Sequence, residues 1–145
     1  YQLWRWKPVA VLHKPMLWIL YLGYLGLSVG LLVAAARLAG ADGPLLARAA
    51  THVHLIGMGG FAVLIIGMVT RTALGHTGRP LTLDGIMLAS YWFMVISVAL
   101  RLAALWPSAY GVPLLHAAAT AWITSLALYL YRYIPFLIRP RADAR

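Results

Sequence analysis

Four long apolar stretches alternate along the chain with short segments rich in glycine, proline and charged residues. A helix needs about 20 mainly apolar residues to cross a bilayer core, and each stretch reaches that length. The stretches predict transmembrane helices at about 16–38, 44–72, 84–106 and 112–134. Strands are not expected, because lipid cannot hydrogen-bond the backbone groups of an open sheet edge. The alternation of apolar and polar residues that is typical of strands is also absent. The pattern therefore predicts an all-α polytopic membrane protein, with residues 1–145 forming one four-helix bundle domain.

Prolines mark the predicted helix boundaries. Pro15, Pro44 and Pro113 fall where helices begin, at positions whose N–H groups have no partner within a helix. Pro107 and Pro135 fall where the third and fourth helices must end or bend, because proline removes a helical hydrogen bond. The prolines therefore agree with the boundaries that the hydrophobic pattern predicts.

Composition narrows the class of protein further. Of the 145 residues, 63% are hydrophobic and only 10% are charged, whereas a soluble domain carries about a quarter charged residues. An ordinary water-soluble domain is excluded, and a lipid bilayer is the expected surrounding. The sequence has no cysteine, which excludes disulfides, cysteine-ligated zinc, iron–sulfur clusters and thiol catalysis. Because the chain begins with Tyr1 instead of methionine, we expect a fragment or a processed product.

Basic residues lie unevenly on the two sides of the predicted bundle. One side carries nine of them: Arg5, Lys7, Lys14, Arg71, Arg79, Arg132, Arg139, Arg141 and Arg145. The other side carries three: Arg37, Arg48 and Arg101. Since positively charged loops stay in the cytoplasm, both termini and the loop between the second and third helices are predicted to be cytoplasmic. The same rule accounts for the net charge of +9 without a nucleic-acid partner.

Histidines and one arginine are the candidate functional residues within the spans. His52 and His54 on the second helix, His116 on the fourth and Arg101 on the third fall at one depth, in the predicted outer leaflet. Ionisable residues inside a membrane indicate a functional site. His52 and His116 could ligate a haem iron, and Arg101 could bind a haem propionate. The alternatives are hydrogen bonds between helices for the histidines, and an Arg101 side chain that extends to the interface.

The two neighbouring histidines point to different sides of the second helix. His52 shares its predicted face with glycines, where a flat bulky group or another backbone could approach closely. His54 and Met58 are four residues apart, so an imidazole and a thioether could bind one Cu(I) ion. Simple packing is the alternative for the methionine. In the first helix, the spacing of Gly26 and Gly30 predicts a close helix contact.

A glycine-rich basic loop follows the second helix. Arg71 and Arg79 flank a segment in which Gly75 and Gly78 bracket His76 and the next residue. Backbone N–H groups and guanidinium groups in such a loop could bind a propionate, a phosphate or a lipid head group. The alternative is a helix C-cap with cytoplasmic positive charge.

This loop resembles the NnrS family, membrane proteins described as containing haem and copper and linked to nitric oxide metabolism and denitrification. The resemblance rests on Met68–Arg71, Leu74–Leu81, His52, Gly57–Gly60, Trp18–Tyr24, Tyr133–Pro135 and Arg139–Arg141. Family members are much longer, so the chain is expected to correspond to their C-terminal part. The resemblance implies that His52, His76 and His116 are candidate haem or metal ligands. For Arg71 and Arg79 it favours a functional role over the helix C-cap alternative. One departure is Tyr21, where a histidine is expected in the family.

These observations predict a haem-binding, and in the second instance copper-binding, integral membrane protein. The resemblance implies a role in nitric oxide metabolism, denitrification or the nitrosative-stress response, in the bacterial cytoplasmic membrane. Nitric oxide and other helices of the same or a partner chain are the expected partners. The alternative function is a cofactor-free membrane assembly subunit or a permease fragment, in which the glycines pack helix on helix.

Overall fold

The computed structural model describes residues 5–6, 8–43, 48 and 50–143. Helix bounds in this part of the chain are α1 Pro8–Val11, α2 Pro15–Leu38, α3 Thr51–His76, α4 Gly85–Ala103 and α5 Gly111–Leu137. The four long helices are each apolar and long enough to cross a membrane. The prediction of an all-α chain with four spans is therefore confirmed for the described residues. The cytoplasmic placement of the termini stays a prediction, and Lys7 and Arg145 lie outside the described residues.

The second span differs most from its predicted bounds. Its predicted start at Pro44 lies outside the described residues, but Arg48 forms a bend and Ala50 a turn, so the helix does not run unbroken from 44 to 72. It begins at Thr51 and ends at His76. Residues Leu55–Ala62 form wider π-helical turns, which the apolar pattern does not reveal.

Gly78 determines where α3 ends. Its φ of 67° is the left-handed conformation that glycine adopts without steric cost. The N–H of Arg79 then reaches back to the carbonyl of Leu74 at 2.9 Å, which closes the helix with a Schellman-type bond. The predicted C-cap at this loop is present.

Pro135 does not end α5, contrary to the sequence-based boundary. The helix continues through Leu137 with the proline inside its last turn. Near a helix terminus the missing proline N–H removes only one backbone hydrogen bond, so the last residues keep their helical conformation.

Glycines bring α2 and α3 into backbone contact. A Cβ atom added to Gly26 would lie 2.3 Å from the carbonyl oxygen of Gly59, and one on Gly30 would lie 2.9 Å from the amide nitrogen of Ile56. A Cβ on Gly60 would lie 3.0 Å from the Cα of Leu27. Successive contacts pair higher residue numbers in α2 with lower residue numbers in α3, so the two helices are antiparallel. The close contact predicted from Gly26 and Gly30 is confirmed.

Polar contacts join α4 and α5, which are also antiparallel. The Ser90 hydroxyl donates to the Ser125 carbonyl at 2.8 Å, and the Ser125 hydroxyl donates to the Ser90 carbonyl at 2.7 Å. Asp84 caps α4 by accepting a hydrogen bond from the Met87 N–H at 3.0 Å, and it also binds the Arg132 guanidinium of α5. Both serines are fully buried, so their hydroxyl groups are satisfied where water is absent.

The two helix pairs meet through aromatic contacts. Trp18 of α2 packs edge-on against Tyr91 of α4, with ring centroids 6.1 Å apart, and lies 5.2 Å from the ring of Trp92. The helices alternate in direction, so the bundle has two distinct ends. We call the end that contains loop 77–84, the start of α2 and the end of α5 the basic end. The opposite end, with the start of α3 and the end of α4, is the histidine end.

Candidate functional site

The candidate residues fall at opposite ends of the bundle. His52 lies in the first turn of α3, twenty-four positions before His76, the last residue of that helix. At about 1.5 Å per residue they are roughly 36 Å apart along the axis. His54, Met58, Arg101 and His116 lie with His52 toward the histidine end, whereas Arg71 and Arg79 lie with His76 at the basic end. One cofactor cannot contact both groups, so the candidates divide into two separate sites.

His52 has an unsatisfied imidazole nitrogen. The residue is half-buried, and its Nδ1 atom is enclosed with no hydrogen-bond partner among the residues that the structure describes. An unpartnered buried polar atom costs free energy, commonly about 1–3 kcal/mol. A metal ion or a ligand hydrogen would satisfy this nitrogen.

His54 forms a hydrogen bond with Arg101 that joins α3 to α4. The Nε of Arg101 donates to the Nε2 of His54 at 3.2 Å, so Nε2 is the acceptor and the imidazole proton is on Nδ1. This contact is the interhelical hydrogen bond that sequence analysis kept as the alternative to metal binding. While it is in place, the Nε2 lone pair of His54 is not available to a metal.

Met58 lies beside this pair, on a groove between α3, α4 and α5. The groove has a volume of about 260 Å³, and Arg101 lines it together with Met58 and apolar residues of α5 such as Leu115 and Trp122. The structure therefore brings His54, Met58 and Arg101 into one neighbourhood. The next residue of α5 after Leu115 is His116, which is exposed.

No group of three or more histidine, cysteine, aspartate or glutamate side chains with metal-binding spacing occurs in the described part of the chain. In that part, no hydrogen bond joins the buried Nδ1 of His52 to His116, its partner in the predicted axial pair. A metal held here would take further ligands from the cofactor itself, from solvent or from another helix.

Helix α2 covers the glycine-lined part of α3. Gly59, Gly60 and Gly67 all lie against α2 side chains or backbone, with no space for an added Cβ at Gly60 or Gly67. Of the two alternatives predicted for this face, a flat bulky group or another backbone, the structure shows the backbone. A macrocycle would have to lie elsewhere.

Two apolar cavities lie between the helix pairs near the histidine end. Their volumes are about 310 Å³ and 240 Å³, and both are lined by Val29, Leu55 and Leu102. The smaller cavity also contacts Thr51, the residue next to His52. Small-molecule sites typically have about 300–1,000 Å³. Sequence analysis missed these cavities, because apolar residues that line a cavity have the same pattern as those that face lipid.

The basic end combines arginine and aromatic side chains. The guanidinium carbon of Arg79 lies 4.2 Å from the ring centroid of Phe136, and that of Arg132 lies 4.4 Å from the same centroid. Partial burial alone would raise the pKa of the Asp84 carboxyl, but the Met87 N–H and the Arg132 guanidinium lower that pKa below its ordinary value. Sequence analysis predicted Arg79 as an anion ligand but missed Phe136 and Arg132, although their spacing of four residues places them on one side of α5.

The other two candidates at this end stand apart from that cluster. His76 is exposed, and Arg71 is half-buried in the last turns of α3. The C-terminal tail, in contrast, packs against the loop. The N–H of Ala142 donates to the Thr77 carbonyl at 3.0 Å, and the side chain of Asp143 occupies the space beside Gly78. The tail therefore holds the loop in one conformation.

Comparison with known families agrees with the resemblance described above. The family model described as NnrS protein matches residues 1–141, which is nearly the whole chain. No curated protein and no solved structure matches the chain significantly. The chain belongs to the NnrS family of membrane proteins.

Proposed function

We propose that this chain binds haem, with copper as a second candidate metal, and acts in nitric oxide metabolism, serving denitrification or defence against nitrosative stress. The observation that carries the proposal is the Nδ1 atom of His52, which is buried without a hydrogen-bond partner among the described residues. Imidazole nitrogen is a common axial ligand of haem iron, so metal binding would satisfy this atom. The haem would supply an iron centre that nitric oxide can bind.

Each nearby residue has a defined part in this proposal. His52 is the proposed axial ligand, and the exposed His116 is available to a cofactor shared with a helix outside the described bundle. Arg101 uses its Nε on His54, so its terminal N–H groups are the ones that would bind a propionate. For copper, the Met58 thioether and the Nε2 of His54 are the proposed soft and borderline ligands, and copper binding would replace the hydrogen bond that Arg101 donates to that nitrogen. Arg71, His76 and Arg79 lie too far away to contact the same group.

An absorption spectrum with iron and copper quantitation tests the proposal on the detergent-solubilised chain after haem-replete expression. We expect a Soret band with stoichiometric iron. His52→Ala should lose iron or change the axial ligation, whereas His13→Ala, in an exposed residue before α2, should leave the spectrum unchanged. A chain with no Soret band and no bound metal would contradict the proposal. An unchanged His52→Ala spectrum would remove that residue as a ligand.

A cofactor-free role is the second candidate function. It is favoured by the α2 contact that covers the glycines of α3 and by the hydrogen bond between His54 and Arg101. In this role the chain would be an assembly subunit or part of a permease. The metal analysis separates the two functions, since this one requires folded protein without stoichiometric iron or copper.

We also propose that the basic end faces the cytoplasm of a bacterial cell, with both termini there. The excess of basic residues at that end supports this orientation. Because the chain has no cysteine, a single introduced one can report its position. A membrane-impermeant maleimide should label Asp42→Cys in intact spheroplasts and should label Leu81→Cys only after lysis. The reverse result would contradict the orientation.

A further inference from the structure

We infer that the basic end contains a binding site for a phosphate group, as carried by an anionic phospholipid or by a free phosphate. The site is a cavity of about 240 Å³ formed by the end of α3, loop 77–84, the start of α4 and the last turns of α5. It is separate from the proposed haem site, which lies at the other end of α3.

Two guanidinium groups line this cavity. Arg79 and Arg132 both lie over the ring of Phe136, so the distance between their guanidinium carbons cannot exceed the sum of 4.2 Å and 4.4 Å. Arg79 donates one hydrogen bond, to the Thr77 carbonyl at 3.3 Å. The Nε of Arg132 donates to the carboxylate of Asp84. Each guanidinium has five N–H donors, so both retain donors that an anion can accept.

The charge of the cavity is positive. Its only acidic lining residue is Asp84, whose carboxylate is already bound by the Met87 N–H and by Arg132. The carboxylate of Asp143, which lies beside Gly78 of the loop, pairs with Arg141. Within the described part of the chain, no carboxylate forms an ion pair with Arg79. The lining of the cavity therefore carries two guanidinium groups and one carboxylate, an excess of one positive charge that favours an anion.

The shape and position of the cavity point to phosphate. Its other lining residues include Leu74, Leu83 and Tyr133, so a cationic rim meets an apolar wall. The ends of transmembrane helices lie at the depth of lipid phosphates, and guanidinium groups bind phosphate oxygens through paired hydrogen bonds. The Gly78 turn and the bond from Ala142 to Thr77 hold the loop in place, so binding needs little reordering.

The test uses the full chain in non-ionic detergent with two kinds of probe. Native mass spectrometry measures retention of phosphatidylglycerol against phosphatidylcholine, and thermal unfolding compares sodium phosphate with sodium chloride at equal ionic strength. We expect one retained phosphatidylglycerol per chain. Arg79→Ala should weaken binding about tenfold, the typical effect of a lost charge-assisted hydrogen bond. Arg139→Ala is the matched control, because it removes an exposed charge from the same end outside the cavity, and should leave binding unchanged.

The two probes distinguish the sources of the phosphate group. Retention of the lipid without a response to sodium phosphate assigns the site to a headgroup, and a response to both assigns it to phosphate itself. Binding of neither probe by the unmodified chain would overturn the inference, as would equal losses in Arg79→Ala and Arg139→Ala. If Arg79→Ala does not fold, Arg79→Lys should keep the charge but bind more weakly, because it loses the paired donors. Haem-free chain should bind the phosphate equally well. The outcome of this test is therefore independent of whether the proposed haem function holds.

Discussion

The two helix pairs of this bundle are held together in different ways. Helices α2 and α3 approach until their backbones touch, since Gly26 has no side chain to separate it from Gly59. Helices α4 and α5 keep side chains between them and exchange two hydrogen bonds between Ser90 and Ser125. Lipid provides little hydrophobic drive for helix association, so close packing and polar contacts are the two available means. This protein uses one for each pair.

The difference shows where a cofactor can be bound. The glycine contact leaves no space between α2 and α3, although glycines on a transmembrane helix also suit a flat ligand. The apolar cavities lie between the two pairs, and the larger one is lined in part by Gly26 and Gly59, at the edge of the glycine contact. His54 and Arg101 bridge the pairs at the same junction. A ligand of this protein is therefore expected between the pairs or on the outside of the bundle.

The strongest test of the comparison is Gly26→Ala. Its new Cβ would meet the rigid backbone of Gly59, so we expect a loss of about 3 kcal/mol of unfolding free energy, at the upper end for overpacking. Gly57→Ala is the matched control, because no atom lies within 4 Å of the added Cβ, and it should gain up to about 1 kcal/mol from helix propensity. Unfolding in mixed detergent measures both. Equal effects would show that backbone contact does not hold this pair together.

Asp84→Ala should have the next largest effect, on the second pair. It removes both the α4 cap and the ion pair with Arg132, and the cap alone is worth about 1 kcal/mol. Asp84→Asn keeps capping ability and should lose only a few tenths of a kcal/mol, because the ion pair is partly exposed to solvent. Hydrogen exchange of the backbone amides at the basic end reports local unfolding there and separates the two variants.

The same residue predicts a pH dependence. Folding lowers the pKa of the Asp84 carboxyl, so its contribution to stability is fully present above the ordinary carboxyl pKa of about 3.9. The contribution is lost as the pH falls through the lower pKa of the folded state. Asp84→Asn should lack this acid-dependent step in thermal unfolding. A step of equal size in both proteins would assign it to another group.

A double-mutant cycle measures the bond that connects the pairs. Interhelical hydrogen bonds in membranes contribute about 0.6 kcal/mol on average, with a maximum near 1.7, and the charged donor Arg101 suggests a coupling of about 1 kcal/mol with His54. The cycle uses His54→Leu and Arg101→Leu. A parallel cycle with His52→Leu in place of His54→Leu should give no coupling. Coupling of His52 instead of His54 would contradict the observed pairing.

Ser90→Ala should have the smallest effect, about 0.6 kcal/mol, because one of the two reciprocal bonds remains. Ser28→Ala is its control, since that hydroxyl bonds to the Tyr24 carbonyl within α2 and joins no second helix. A loss from Ser28→Ala equal to that from Ser90→Ala would mean that the serine bonds do not hold the second pair together.

Single residues show how far sequence analysis could go. Gly26 and Gly30 predicted a helix contact correctly, because a repeat of small residues at four-residue spacing always lies on one side of a helix. The separation of His52 from His54 was also predicted, but not the pairing of His54 with Arg101, which depends on how α3 and α4 rotate against each other. Phe136 was missed because its partners come from a loop more than fifty residues away and from its own helix.

Hydrophobic length and charge by themselves determined that this chain is helical and has four spans, because lipid permits few ways to satisfy a backbone. The motif residues also sufficed to indicate the family. Only the tertiary structure decided that α2 covers the glycines of α3, that the candidate residues form two distant groups and that Arg79 meets Arg132 across Phe136. These facts depend on helix rotation, π-helical turns and loop conformation, which arise from contacts between distant parts of the chain and leave no periodic signal in the sequence.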